Sequence, residues 1–441
     1  MTLRVMILDK PGYFGKFASA IGNVGASLAD IKLVQFGNEY NTRDVTIFAD
    51  NEAQFRKVQE ELGKVEGVIV SEVIDPVLEL HRGGKIGVRS RVKLDSISTV
   101  RKIYTPGVAK VCKLIEADPA LAHRYTSIYN TVAIVTNGTA ILGLGDIGPV
   151  AGMPVMEGKA ALFESLVGVN GVPILLRSKD PEEIVRTVAA IAPTFGAVQI
   201  EDIKAPECFL VEDRLSSMLE IPVLHDDQHG TSVVVLAVLF NIADQVGVKV
   251  KDDAIGLIGL GAAGIGIAKL LKAYGVRKLL GNDINPGALE IFAKQGGKGG
   301  SLEEVMSGSD IVIATTGKAG LIRKEMVRKG QVILALSNPN PEITVDDARG
   351  AGASFAMDGR SVNNALAFPG VFRGALDARA TRINNRMLYA AAKAIKSCTP
   401  KGELLPSILD RDMHAAVADA VRRVAFETGV AAPRTEETEE P

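Results

Sequence analysis

The 441-residue chain carries almost no net charge, since 50 Lys and Arg stand against 52 Asp and Glu and leave −2. That balance removes the electrostatic reason to expect nucleic acid or an anionic membrane as a partner. Cysteine is scarce: Cys112, Cys208 and Cys398 lie far apart with no CxxC pair, which predicts buried free thiols in a reducing compartment. Long apolar runs are missing too. The most apolar stretch, Val233 to Phe240, falls far short of the ~20 residues of a membrane span and reads as a buried helix. The first residues, TLRVMILDKPG, lack the basic region and apolar segment of a signal peptide, so a cytoplasmic protein is expected. What the chain does have is glycine, 45 residues of it within a composition that is 47% apolar. Such a mixture means tight turns and close backbone approaches rather than disorder.

Residues 255 to 283, IGLIGLGAAGIGIAKLLKAYGVRKLLGND, join an apolar run, a glycine turn, a helical pattern, a second apolar run and an acid. Gly259 permits a tight strand-to-helix turn, Gly261 lets backbone N–H groups approach a pyrophosphate, and Gly264 lets the helix lie close to the strand. Ala262 and Ala263 open that helix, whose positive end meets the phosphates. Asp283 is placed to accept the ribose hydroxyls of an adenosine, which favours NAD while leaving NADP possible.

The length predicts roughly three domains. The expected fold class is α/β: a Rossmann-type dinucleotide-binding domain and a second parallel α/β substrate domain, preceded by a βαββαβ, ferredoxin-like domain. The divisions fall at 1–76, a glycine-bearing linker at 77–87, a substrate and metal domain at 88–240 and a Rossmann domain at 241–384. A helical segment at 385–430 returns to the substrate domain, and an acidic, disordered tail occupies 431–441. In the middle domain a helix is expected from Gly158.

Two apolar strands of that domain run into carboxylates, AVQI into Glu201 and Asp202, and IPVL into His225, Asp226 and Asp227. Ligands of open parallel sheets bind beyond the C-terminal strand ends. Glu201, Asp202 and Asp227 would there suit a hard cation, Mg²⁺ or Mn²⁺. HDDQH has a superficial zinc look, but no thiolate or HExxH pair supports it.

Several separated motifs resemble the malic enzymes of short bacterial type over residues 88 to about 430. They are Tyr104-Thr105-Pro106-Gly107-Val108, ILGLGDIGP at 141–149, Pro154 to Lys159, Glu201 to Pro206, His225 to Thr231, Ser337-Asn338-Pro339, and Asn363-Asn364 before Phe368-Pro369-Gly370. At the front, Asp9 to Gly15 resembles the effector-binding loop of an ACT domain, a ligand-sensing module, although a βαββαβ unit also serves oligomerisation alone.

The resemblance implies metal-dependent oxidative decarboxylation of malate to pyruvate and CO₂ with NAD(P)⁺. It implies Tyr104 as general acid, Lys159 as general base, and Glu201, Asp202 and Asp227 as metal ligands. Asn338 and Asn364 fall on positions that contact substrate or nicotinamide ribose. A lysine base needs a pKa depressed by burial or neighbouring positive charge. One departure stands out: larger members carry an Arg before ILGLGD where this chain has Ala140, leaving the substrate carboxylate to another basic residue or the metal. Homodimers or homotetramers, and a small effector at the first domain, complete the expectation. The alternatives are an NAD-dependent dehydrogenase without decarboxylation and a non-catalytic sensor of NAD or an amino acid.

Overall fold

The computed structural model describes residues 1–141 and 143–432. It divides into two compact units, Met1–Gly87 and Val88–Pro441, and the acidic end of the expected tail lies outside the described residues.

The first unit runs β1 (Thr2–Leu8), α1 (Tyr13–Asn23), β2 (Ser27–Gln35), β3 (Tyr40–Phe48), α2 (Glu52–Leu62) and β4 (Val68–Ile74). Strict alternation in β1 sends Leu3, Val5 and Ile7 inward, as a sheet covered on one face requires. Gly12, at φ 91, starts α1, and the Asn51 side chain caps α2 by accepting from the Gln54 N–H, satisfying a donor that the first turn leaves free. The strands are antiparallel in the order β2-β3-β1-β4, a split βαβ arrangement. Leu3, Val5, Ile7, Phe17, Ile21 and Phe55 belong to its own core. The expected linker begins differently, because Asp75 caps a short helix, α3 (Pro76–His81), with Pro76 in the first turn where it lacks nothing it needs.

The second unit holds two parallel sheets. One has the order β6-β5-β7-β8, from β5 (Thr131–Thr136), β6 (Asn170–Leu175), β7 (Ala197–Ile200) and β8 (Val223–His225). The other comprises β9 (Ile255–Ile258), β10 (Leu279–Asn282), β11 (Lys298–Gly299), β12 (Ile311–Ala314), β13 (Val332–Ala335) and β14 (Phe355–Asp358). Its order, β11-β10-β9-β12-β13-β14, is the doubly wound 3-2-1-4-5-6 sequence of dinucleotide-binding sheets. β9, β12 and β13 are buried throughout, the mark of a sheet covered on both faces.

Two expected boundaries move. The helix expected from Gly158 spans Pro149–Val167; Pro154 sits inside it, where a missing N–H removes one helical bond and obscures the pattern. The division at 240 falls within the helix Asp226–Val246, so no chain break separates the two sheets there. That helix is long and apolar enough to cross a membrane by length and composition alone, yet Val233 to Leu239 are all buried in the core. The C-terminal segment is two helices, Asn385–Cys398 and Arg411–Glu427. The latter meets the helix Phe368–Asp377 so closely that a Cβ on Gly374 would stand 2.3 Å from the Ala418 carbonyl. All three cysteines are free, but only Cys208 is buried; Cys112 is exposed and Cys398 intermediate.

Candidate active site

The carboxylates converge because β7 and β8 are adjacent and parallel, so the residues following each emerge at the same sheet edge. Oxygens of Glu201, Asp202 and Asp227 lie within 4.8 Å of one another. Asp202 adopts φ 51, a left-handed conformation that costs a non-glycine residue energy and that short acidic side chains tolerate best. Its backbone N–H donates to Asp227 at 2.9 Å, while Asp202 Oδ2 is buried without a hydrogen-bond partner among the described residues. An all-oxygen donor set with an orphaned carboxylate oxygen fits a hard divalent cation. Burial, followed by the Asp227 charge, raises the Asp202 pKa to about 8. Burial likewise holds Glu201 well above the usual glutamate value, against the opposing pull of Lys159.

Lys159 reaches this cluster from the helix Pro149–Val167. Its ammonium bonds the Asp226 carboxylate and the Asn364 side-chain amide oxygen, the latter at 3.2 Å, and pairs with Glu201 at 3.0 Å. It also lies 4.6 Å from the Phe368 ring centroid, a favourable cation–π position. Burial disfavours its charge, but Asp226, Glu201 and Asp227 outweigh burial and raise the pKa above the ordinary lysine value. The expectation of a depressed lysine pKa is thus corrected, because the neighbouring carboxylates outweigh burial.

Asp226 is the site residue that motif reading passed over. It is fully buried and holds the lysine, whereas its neighbour Asp227 turns to Asp202, whose N–H it accepts. The signal was the doubled acid at a helix start, where consecutive side chains point apart. Behind it stands a second buried carboxylate, Glu212, which accepts from the His225 backbone N–H at 2.7 Å and the Gln228 amide at 2.8 Å, and pairs with His229 at 3.0 Å. Burial opposes its charge, but His229 and His225 lower its pKa to about 2. His225 Nε2 lies 3.2 Å from Asp227 Oδ2, bracing that carboxylate from behind.

The dinucleotide elements take the expected geometry. Gly259 has φ 88, Gly261 has open space above it, and a Cβ on Gly264 would lie 2.0 Å from the Gly259 carbonyl oxygen. Ala262 and Ala263 begin the helix Ala262–Tyr274. Asp283 accepts from the Leu260 N–H at 2.6 Å and the Asn285 N–H at 2.8 Å, which fixes its carboxylate beside the turn. Asn338, just beyond β13, donates to the Gly359 carbonyl at 3.1 Å on the same sheet edge. Unforeseen, buried Glu342 ties the neighbouring loops by accepting from the Thr316 N–H at 2.7 Å and from the Ser337 hydroxyl. Tyr104 is not brought in: it follows the helix Ile97–Ile103, is 70% exposed, and makes no hydrogen bond with the buried cluster among the described residues.

Comparison with known proteins decides what this combination is. The malic enzyme N-terminal domain matches residues 91–182, and the malic enzyme NAD binding domain matches residues 355–426. The NAD-dependent malic enzyme 1 of Bacillus subtilis strain 168 is 51% identical over 429 residues, 96% of this chain and 97% of that relative. The chain belongs to the malic enzyme family. The NAD-dependent malic enzyme of Geobacillus stearothermophilus is 42% identical and covers 98% of the chain and 95% of its own length. Among solved structures, a malic enzyme from Pyrococcus horikoshii is 39% identical, with a TM-score of 0.76 over 81% of this chain and 92% of that one. This malic enzyme is accordingly a decarboxylating oxidoreductase, with its buried acid cluster and its dinucleotide turn on one unit.

Proposed function

We propose that this malic enzyme converts malate to pyruvate and CO₂ with NAD⁺ as the preferred acceptor, and that Glu201, Asp202 and Asp227 hold a Mg²⁺ or Mn²⁺ ion. The observation that carries the reading is the buried meeting of Lys159 with a three-carboxylate oxygen set at one sheet edge. When bound, the ion supplies Lewis acidity at the substrate's C2 oxygen and adjacent carboxylate. NAD⁺ supplies the hydride acceptor.

In this reading Lys159, positioned by Asp226 and Asn364, takes the C2 hydroxyl proton once the carboxylate charge around it is balanced. Asn364 and Asn338 orient substrate and nicotinamide ribose. Tyr104 returns a proton to C3 after CO₂ leaves. Because the single chain leaves Tyr104 outside the cluster, that step requires either movement of its segment or a second copy of the chain, and a homodimer or homotetramer belongs to the reading. With Ala140 in place of a carboxylate-binding Arg, another basic residue or a bound ion would meet the substrate carboxylate. The first unit senses an amino-acid-like effector at the Asp9–Gly15 turn, and the enzyme works in the cytoplasm.

The test is nicotinamide reduction with malate and Mn²⁺, paired with CO₂ measurement. Hydride transfer without CO₂ would favour the non-decarboxylating dehydrogenase instead. Lys159→Ala should slow malate oxidation by roughly 10²–10⁴-fold. Tyr104→Phe should spare oxaloacetate reduction and impair proton exchange at C3 of pyruvate; the opposite split would reverse the two roles.

A further inference from the structure

The ends of two long helices meet at a cleft that no step of the reaction uses. The cleft has a volume of about 520 Å³, within the ~300–1,000 Å³ range of small-molecule sites. Phe240, Tyr274 and Tyr389 form an aromatic cluster in its wall, with ring centroids 5.2, 5.4 and 6.2 Å apart. Four lysines, Lys249, Lys251, Lys393 and Lys396, line it as well.

The charges there do not balance. Lys396 pairs with Asp244 at 2.8 Å, and the other lining carboxylate, Asp252, is engaged by Arg277 at 3.1 Å. The ammonium groups of Lys249, Lys251 and Lys393 form no ion pair among the described residues, although the Lys249 backbone N–H donates to the Asp253 carboxylate at 2.7 Å. The ammonium groups of Lys251 and Lys393 lie instead over the rings of Tyr274 and Tyr389, at 4.6 and 5.6 Å. Gathering like charges around one concavity is unfavourable unless an anion joins them. Compact ammonium groups on flexible stems suit the several oxygens of a phosphate.

The cleft is separate from the dinucleotide turn, since Lys249 to Asp252 precede β9 whereas Gly259 follows it. Its connection to the chemistry is direct all the same. The helix Asp226–Val246 starts at the lysine-holding Asp226 and reaches the cleft with Phe240 and Asp244, and the helix Ala262–Tyr274 starts at the glycine turn and ends in Tyr274. Where the two cross, a Cβ on Gly266 would lie 2.2 Å from the Gln228 carbonyl, so displacement of one helix is felt at the residue next to Asp227.

We propose that this cleft binds a phosphorylated small metabolite and that its occupancy alters malate turnover through these two helices. The proposal goes beyond the assigned reaction, and its binding arm needs neither malate nor metal, so its failure is distinguishable from failure of the proposed function.

The experiment is calorimetric titration of the metal-free full chain with sodium tripolyphosphate, with NADH present to fill the dinucleotide site. Saturable binding is expected, weakened at least tenfold in Lys251→Gln/Lys393→Gln and restored in Lys251→Arg/Lys393→Arg. In the assay, at constant free Mn²⁺, tripolyphosphate should shift KM for malate or kcat at least twofold in the wild type. The Gln double variant should keep the basal kcat and lose the response. Absence of saturable binding, or equal binding by the Gln variant, overturns the site; binding with no kinetic effect overturns the coupling.

Discussion

At the residue scale, the buried acids divide between the oxygen set proposed to hold a cation and those that hold the machinery in place. Glu212 belongs to the second group, and its depressed pKa makes a pH prediction. A carboxylate whose folded pKa lies below its unfolded value contributes stability that is complete above the unfolded value, ~4.3. That contribution is lost as pH falls through about 2, because the unfolded chain then binds the proton more readily. Thermal melts between neutral and strongly acidic pH should show Glu212→Gln with a lower Tm near neutrality and a shallower decline on acidification. Parallel wild-type and variant curves would discard the ion-pair account. Asp283 makes a second prediction. Its carboxylate is already oriented by two backbone N–H groups, so in its proposed role it would present negative charge to a 2′-phosphate. Asp283→Ala should narrow the NAD-over-NADP ratio of kcat/KM, whereas a wild-type preference for NADP would refute the assigned role.

At the element scale, the Gly266 crossing point is a packing constraint with a measurable cost. The Gly266→Ala methyl has to displace backbone, not a flexible side-chain tip. Overpacking of this kind destabilises by ~1–3 kcal/mol. A lower Tm together with weaker Mn²⁺ and NAD binding is expected; unchanged values would mean that the helices separate freely. Motif reading found the strand, turn and helix around Gly259 because those signals are local in sequence. It did not find Gly266, whose partner Gln228 lies on another helix. The same limit hid Asp226 as the partner of Lys159, 67 positions away. It could place Glu201, Asp202 and Asp227 at strand ends, but adjacency of β7 and β8 in space was needed to make them one cluster. The helix at Pro149 was concealed by Pro154, a residue that ordinarily ends a helix rather than lying within one.

At the scale of the whole molecule, each unit has a hydrophobic core made of its own residues. Leu3, Phe17 and Phe55 pack in the first, and Phe163, Phe368 and Phe372 in the second. Every residue assigned to chemistry lies after Gly87. A chain starting near Gly87 should therefore fold and retain malate turnover while losing any response to an amino-acid-like effector. Circular dichroism, oligomer size and kinetics on that truncation check it, and an unchanged effector response would end the regulatory reading of the first 87 residues. The backbone between the cores passes through Gly83 and Gly84, at φ 81 and 84, a conformation that glycine adopts without steric cost. Such a junction is a point of exchange. A module whose core closes on its own residues can be inherited as a piece, so the first 87 residues and the catalytic unit are free to evolve at different rates.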